Sequence, residues 1–354
     1  MKYSLFILSL GVSIFFIFGK YSDTVMYTED KTISISNHDF IHCNSGGSSL
    51  DPSYVTVKNE TLYIVNAQRN MLTSFSKKGE MLNQYTIKNN ISNISSLTIT
   101  NNKIIIGDNE SNLLVEYDLN FKYQKSLSTP FYFSDFHYSE GRYIFYTTHL
   151  TKDNTNTIFI TDADLTIIKS LYPRKINDIS LSILAANRIQ KTKDGIYYNP
   201  AGSGVIDKID FYGKTNTVLN IGFSYEKINF TKILTLNQKN IHKLIEKMPI
   251  NKFLVTDNFV LFENYIEKFP NIYFFDRNSK MTNKIARKLQ VSNISSFNYV
   301  GLFPNAVYGN SYLRILNHKK LKFVEENIES VGLLDHIPKT KNNSEFIIHT
   351  YAVE

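Results

Sequence analysis

Cysteine and tryptophan are nearly missing from this 354-residue sequence, which contains one cysteine and no tryptophan. The single cysteine, Cys43, excludes an intrachain disulfide and any zinc or iron–sulfur site built from several cysteines. Cys43 lies well past the N-terminal apolar stretch and follows Phe40, Ile41 and His42, so it does not have the surroundings of a lipid-attachment cysteine. We therefore expect a buried or free thiol.

Motifs for common enzyme chemistry are also missing. The sequence has no Gly-Lys-Ser/Thr phosphate loop, no GxGxxG, no GxSxG elbow and no HExxH. Its 8 histidines are dispersed along the chain. The sequence therefore predicts no catalytic residues, no cofactor and no metal, and it favours a protein that is not an enzyme.

Long runs of one charge sign are the third absence. The formal charge is +7, but most lysines stand singly among acidic and amide residues, and the longest basic run is the short "NHKKLKF" at 317–323. Basic patches do not alternate with aromatic residues, as they do in proteins that bind single-stranded nucleic acids. We expect solvated turn lysines and no nucleic-acid partner.

The N-terminus has the pattern of an export signal. Residues 1–20 carry Lys2, then an uncharged apolar stretch up to Gly19 and Lys20. Ile17 is a poor small-residue match for a cleavage site, so an uncleaved anchor is the alternative. Either alternative places the protein in the periplasm or cell envelope, with membrane contact only through this segment.

Tyrosine and phenylalanine are abundant, with 23 and 25 copies. Both favour the pleated, half-buried surfaces of β-sheets. A pattern also recurs along the chain. Each unit begins with an apolar run and a polar loop, continues with a second run that ends at or near an aromatic residue followed by Asp, and finishes with a tight turn and a closing run. The units span 62–87, 103–127, 143–171, 195–219 and 259–285, and a less regular sixth joins 295–316 to 344–354.

These units predict a six-bladed β-propeller over residues 30–354, all-β and built from four-stranded antiparallel blades. The repeated runs begin near residues 62, 104, 143, 196, 259 and 306, a spacing typical of propeller blades. Radial packing buries the faces of each blade and leaves only short edges. Two β-sandwiches are the structural alternative.

Further short runs precede most units, and we expect them to be the first strands of the blades: 53–57, 95–100, 133–139 and 185–192. Lys77, Lys78 and Gly79 are interpreted as a hairpin turn. One segment, 235–249, has apolar residues at helical spacing and ends at Pro249, which predicts a short helical insertion.

Two stretches, "IYYNPAGSGVIDKIDFYGK" (196–214) and "TVLNIGFSYEKI" (217–228), resemble the six-bladed β-propeller proteins exported by Bacteroidetes, within the TolB-like and NHL-like propeller superfamily. The signal-like start and the short terminal strand add to this resemblance. It implies the propeller fold and an exported compartment. The chain lacks the cysteine that many members carry directly after the signal, and it has "KNNISNIS" (88–95) where many have a Gly-Pro-Gly-Glu loop.

Propellers bind ligands on the face that carries the connections into the first strands and between the second and third strands. Five polar residues are candidates for contacting a ligand there: Arg69, Asp135, His137, His149 and Arg188. Asp135 and His137 are two apart in a predicted first strand, so their side chains share one face of it.

The leading hypothesis is an exported, non-enzymatic, monomeric propeller that binds a protein or glycan ligand on this loop-rich face. One alternative is a lyase or hydrolase with a metal held in the propeller channel by histidines and carboxylates from several blades. Another is a structural module for envelope assembly.

Overall fold

The computed structural model describes residues 26–28, 35–44, 53–87, 91–92, 94–148, 156–173, 188–200, 202–221, 249–266, 269–284, 306–308, 311–317, 340 and 345–353. The expected signal or anchor at 1–20 and the segment 235–248 of the predicted helical insertion lie outside these residues.

The described residues form β-strands and one short 3₁₀ turn, Ala67–Arg69. The strands, in chain order, are β1 (Met26–Thr28), β2 (Ile35–Asn44), β3 (Tyr54–Lys58), β4 (Thr61–Asn66), β5 (Met71–Phe75), β6 (Met81–Thr86), β7 (Ile94–Ile99), β8 (Lys103–Asp108), β9 (Leu113–Asp118), β10 (Tyr123–Ser128), β11 (Asp135–Ser139), β12 (Arg142–Tyr146), β13 (Asn156–Thr161), β14 (Ile167–Pro173), β15 (Ile189–Thr192), β16 (Gly195–Tyr198), β17 (Val205–Asp210), β18 (Thr215–Asn220), β19 (Lys252–Val255), β20 (Phe259–Ile266), β21 (Phe269–Asp276), β22 (Met281–Lys284), β23 (Ala306–Tyr308), β24 (Ser311–Asn317) and β25 (Glu345–Val353).

Within the described ranges these strands form six sheets, which we call blades 1 to 6. Blades 1 to 4 are the antiparallel meanders β3–β6, β7–β10, β11–β14 and β15–β18, blade 5 contains β19–β22, and blade 6 contains β23–β25. First strands of neighbouring blades contact each other, as β3 does with β7 and β23. The predicted propeller of four-stranded antiparallel blades is confirmed, and the first strands form its innermost ring.

The N-terminal strands complete the last two blades. Strand β2 pairs antiparallel with β25, so the fourth strand of blade 6 comes from the other end of the sequence. Strand β1 adds to blade 5 as a fifth strand, parallel to β22. Blade 6 differs from the predicted unit because residue 306 begins its first strand, whereas its second strand begins at Ser311.

Turns between the third and fourth strands repeat one hydrogen-bond pattern. In blade 2 the Asp118 carboxylate accepts the backbone N–H groups of Asn120 and Lys122, each at 2.9 Å. Asp162 and Asp210 do the same in blades 3 and 4. In blade 1 the Ser76 hydroxyl takes this role, and Gly79 adopts φ 85°, a left-handed conformation that glycine adopts without steric cost. The predicted Lys-Lys-Gly hairpin turn is confirmed.

The buried apolar residues that the structure describes form six clusters, one at each boundary between adjacent blades. Blades 6 and 1 are joined by Leu313, Ile315 and Phe346 on one side and Leu62, Ile64 and Phe75 on the other. Cys43 of β2 lies in the same cluster, is 1% exposed and is a free thiol, as expected. Its burial raises the pKa of Cys43 to about 12.

Candidate functional site

A cavity of about 520 Å³, which we call the axial cavity, lies inside the innermost ring. All six first strands contribute to its wall, together with residues next to them in sequence and with the end of β12. Ser53, Ser134 and Arg188 of the lining each stand immediately before a first strand, and Tyr146 and Thr148 stand at or just after the end of β12. The cavity therefore lies toward the face that also carries the connections between second and third strands, which is the face predicted to bind a ligand.

Polar and apolar residues occupy different sectors of the wall. Blades 5 and 6 contribute Phe253, Leu254, Ala306 and Val307, whereas blades 2 to 4 contribute mostly polar side chains. The polar set is Ser95, Ser134, Asp135, Thr148, Arg188, Gln190 and Lys191. This arrangement follows from the sequences of the first strands, which are rich in serine and threonine in blade 2 and in apolar residues in blade 5.

Asp135, Lys191 and Ser96 bond to one another across three blades, and we call these three residues the Asp135 clasp. The Nζ of Lys191 lies 2.9 Å from Oδ1 of Asp135 and donates to the Ser96 hydroxyl at 2.9 Å. Ser96 donates in turn to the same Oδ1 of Asp135. Lys191 also donates to the carbonyl oxygen of Leu97 at 2.7 Å, so its three ammonium protons all have acceptors.

Oδ1 of Asp135 is therefore saturated, since it also accepts the backbone N–H of Phe136 at 2.8 Å. Oδ2 has no hydrogen-bond partner among the described residues. The Asp135 side chain is 23% exposed and lines the cavity, so this second oxygen can accept hydrogen bonds from a ligand. Among the predicted site residues, Asp135 has the geometry that best suits ligand contact.

His137 is on the same strand but is buried between blades 3 and 4. Its Nε2 donates to the carbonyl oxygen of Thr192 at 2.5 Å, and its ring lies 5.3 Å from that of Phe211. Burial, with smaller contributions from the charges of Lys191 and Lys58, lowers the pKa of His137 to about 3, although the hydrogen bond to Thr192 opposes this shift. The imidazole is thus neutral at ordinary pH, and His137 does not line the axial cavity.

Arg188 lines the cavity but is 3% exposed and is engaged in the wall. Its guanidinium donates to the Asn199 side-chain oxygen and, at 3.2 Å, to the carbonyl oxygen of Ile250. Next to it, Gln190 bonds through both side-chain atoms to the backbone of Val255, at 2.7 and 2.6 Å. These contacts connect blade 4 to blade 5 at the wall of the cavity.

Arg69 and His149 do not join this cluster. Arg69 is exposed in the 3₁₀ turn between β4 and β5 and is not among the residues that line the cavity. Its backbone N–H bonds to the Asn66 side chain at 3.2 Å, which holds the turn. His149 lies outside the described residues.

Tyr54 is a cavity residue that sequence reasoning missed. It begins β3, lines the cavity, and has no hydrogen-bond partner for its hydroxyl among the described residues. Burial raises the pKa of Tyr54 above its ordinary value, and the nearby charges of Asp135 and Tyr132 raise it further. The phenol is therefore neutral and can donate a hydrogen bond into the cavity.

Glu263, in the middle of β20, is a second unusual carboxylate. It is fully buried on the side of blade 5 that carries Leu261, and neither carboxylate oxygen has a hydrogen-bond partner in the described structure. Burial raises the pKa of Glu263, and the charge of the cross-strand Lys252 opposes this shift. Glu263 does not line the axial cavity, so we assign it no part in ligand contact.

Within the described ranges, no three or more His, Cys, Asp and Glu side chains come together as a group that could hold a metal ion. No helix in those ranges is long and apolar enough to cross a membrane. The axial cavity therefore offers hydroxyl groups that can donate or accept hydrogen bonds and one carboxylate oxygen that can accept them. An apolar sector of the wall lies beside these groups.

Known proteins resemble this chain in sequence and in fold. Residues 49–301 match the model of a family, DUF5128, described as 6-bladed beta-propeller. The fold is similar to that of an exported protein from Bacteroides fragilis, with a TM-score of 0.70 and 16% identity over 94% of this chain and 99% of the other. A DUF4221 family member from Bacteroides vulgatus is also similar, with a TM-score of 0.56 and 9% identity over 91% and 99% of the two chains. No functionally curated protein matches the sequence.

Proposed function

The chain belongs to the 6-bladed beta-propeller family, and we propose that it is an exported protein that binds a protein or glycan ligand in its axial cavity. Export to the periplasm or cell envelope is supported by the apolar N-terminal stretch and by the likeness to an exported Bacteroides protein. We propose binding and not catalysis because some polar groups of the cavity are fixed by contacts within the wall, while others have unused hydrogen-bonding capacity.

The observation that carries this proposal is the axial cavity itself. Its volume of about 520 Å³ falls within the roughly 300–1,000 Å³ of small-ligand sites. Asp135 and Tyr54 present unused hydrogen-bonding capacity toward it, while Gln190 and Lys191 are fixed by contacts within the wall. A preformed site of this kind loses little conformational entropy on binding.

A substitution that fills the cavity tests the proposal. Ala306→Trp places an indole at the start of β23, where the side chain is partly exposed and lines the cavity. Asn216→Trp adds the same bulk on the exposed face of β18 and serves as the control. Binding to a panel of soluble oligosaccharides and end-blocked peptides is measured by titration calorimetry.

We expect Ala306→Trp to abolish binding and Asn216→Trp to preserve it, with both variants melting cooperatively. Equal binding by wild type and Ala306→Trp would contradict the proposal, because the ligand would then occupy a different surface.

A further inference from the structure

We infer that the ligand of the axial cavity is a neutral saccharide, two of whose hydroxyl groups bond to Oδ2 of Asp135 and to the hydroxyl of Tyr54. This inference rests on the proposed function and adds the chemical class of the ligand. It follows from which polar groups in the wall are free, how the charges are arranged, and where the apolar sector lies.

The free polar groups are those suited to hydroxyls. Oδ2 of Asp135 can only accept hydrogen bonds, whereas the hydroxyls of Tyr54 and Thr56 can donate and accept. The described structure gives none of these three atoms a partner, and all three residues line the cavity. A sugar hydroxyl can also donate and accept. Two hydroxyls of one saccharide can therefore bond to the acceptor Oδ2 of Asp135 and to the hydroxyl of Tyr54.

The arrangement of charge disfavours an ionic ligand. The carboxylate of Asp135 is neutralised by Lys191 at 2.9 Å, and the protons of that ammonium already have acceptors in Asp135, Ser96 and Leu97. Among the described residues of the wall, the one further cation is Arg188, which donates to Asn199 and Ile250 and is almost completely buried. An anion would therefore meet the acceptor Oδ2 of Asp135, while the ammonium of Lys191, although partly exposed, already donates to protein acceptors.

The apolar sector of the cavity wall also suits a saccharide. Leu254, Val307 and Val55 lie in the wall contributed by blades 5, 6 and 1, while the clasp lies in blades 2 to 4. A pyranose ring carries C–H groups on its faces and hydroxyls around its edge. Such a ring can place a face on the apolar sector while its edge reaches Asp135 and Tyr54, so apolar contact and hydrogen bonding occur together.

Three panels of probes separate this ligand class from its competitors. They are neutral trisaccharides of hexose and N-acetylhexosamine, uronic-acid trisaccharides of the same size, and end-blocked peptides without charged side chains. The purified protein is titrated with each panel by calorimetry. Three variants accompany the wild type. Tyr54→Phe removes one hydroxyl and Asp135→Asn replaces the carboxylate, whereas Tyr212→Phe removes a hydroxyl at an exposed position outside the cavity.

We expect the neutral trisaccharides to bind, Tyr54→Phe to weaken their affinity about tenfold, and Tyr212→Phe to leave it unchanged. Asp135→Asn should weaken it as well, because the amide can present a donor where Oδ2 presents an acceptor. Melting curves check that each variant is folded.

Three results would overturn the inference alone. Tighter binding of the uronic-acid probes would show that a cation in the wall, not the free carboxylate oxygen, selects the ligand. Binding of peptides only, abolished by Ala306→Trp, would leave the proposed function standing with a different ligand class. Saccharide binding that Tyr54→Phe does not weaken would remove the assigned contact, and no binding in any panel would contradict both the inference and the proposed function.

Discussion

His137 provides a sharp test of the packing between blades 3 and 4. The folded protein holds its imidazole neutral, with a pKa of about 3, whereas the ordinary pKa of histidine is 6.5. Below pH 6.5 the unfolded chain therefore binds a proton that the folded chain does not. Stability that is fully present above pH 6.5 is lost progressively as the pH falls toward 3.

The size of the loss follows from these two pKa values. Each pH unit between them costs about 1.4 kcal/mol, so the loss at pH 4.5 is about 3 kcal/mol relative to pH 7.5. Replacing His137 with glutamine keeps a side-chain donor for the carbonyl oxygen of Thr192 and removes the titration. The free-energy difference between wild type and His137→Gln should therefore shrink by about 3 kcal/mol between pH 7.5 and pH 4.5.

Chemical denaturation of both proteins at the two pH values measures this difference. Phe145→Leu, a change at a buried position of the neighbouring strand β12, is the matched control because it removes no titrating group. Its difference from wild type should be the same at both pH values. If the difference for His137→Gln were also independent of pH, the imidazole would not be held neutral by burial and this reasoning would be refuted.

Other substitutions and labels test other parts of the structure. Glu263→Gln should stabilise the protein at pH 8 and lose this effect toward pH 4, because the raised pKa of Glu263 means that its ionised form destabilises the fold. A lower free energy of unfolding for the variant at pH 8, measured by denaturant titration, would contradict this. Phe346→Ala should lower the free energy of unfolding by about 3–5 kcal/mol, because it leaves a cavity in the cluster between blades 6 and 1. Leu82→Ala, at an exposed position, should change it by less than about 0.5 kcal/mol. Similar melting temperatures for the two variants would contradict the role of that cluster. The Cys43 thiol should resist alkylation at pH 8 until the protein is unfolded, and rapid labelling of native protein would show that β2 is not docked.

The blades could be predicted from the sequence because each depends on local patterns. Apolar runs that end in Asp before a tight turn mark the third strand and its connection to the fourth, and the structure shows why: Asp118 accepts two backbone N–H groups of its own turn. The predicted first strands at 53–57, 95–100, 133–139 and 185–192 correspond to β3, β7, β11 and β15.

The closure of the ring could not be predicted in the same way. Strand β2 pairs with β25 from the far end of the chain, and no local periodicity records a partner at that distance. The sixth predicted unit, built from C-terminal residues alone, therefore lacks β2. It also places the second strand at 306, whereas that strand begins at Ser311.

Strand position and parity gave only part of the candidate site. Asp135, predicted from its place in a first strand, lines the axial cavity, whereas His137, two residues along the same strand, is buried against blade 4. Ligand contact by Asp135 stays a prediction. Tyr54 was missed because one of 23 tyrosines, in a strand of intermediate exposure, does not differ in sequence from those that pack in the core. Only the ring arrangement brings Tyr54 of blade 1 near Asp135 of blade 3.

A crystal structure of the protein soaked with the tightest-binding neutral trisaccharide tests ligand binding in the axial cavity most directly. We predict sugar density in the cavity, with hydroxyl oxygens within hydrogen-bond distance of Oδ2 of Asp135 and the hydroxyl of Tyr54. Density confined to the outer strands or to the exposed turn at 66–70, with the axial cavity holding only solvent, would contradict it.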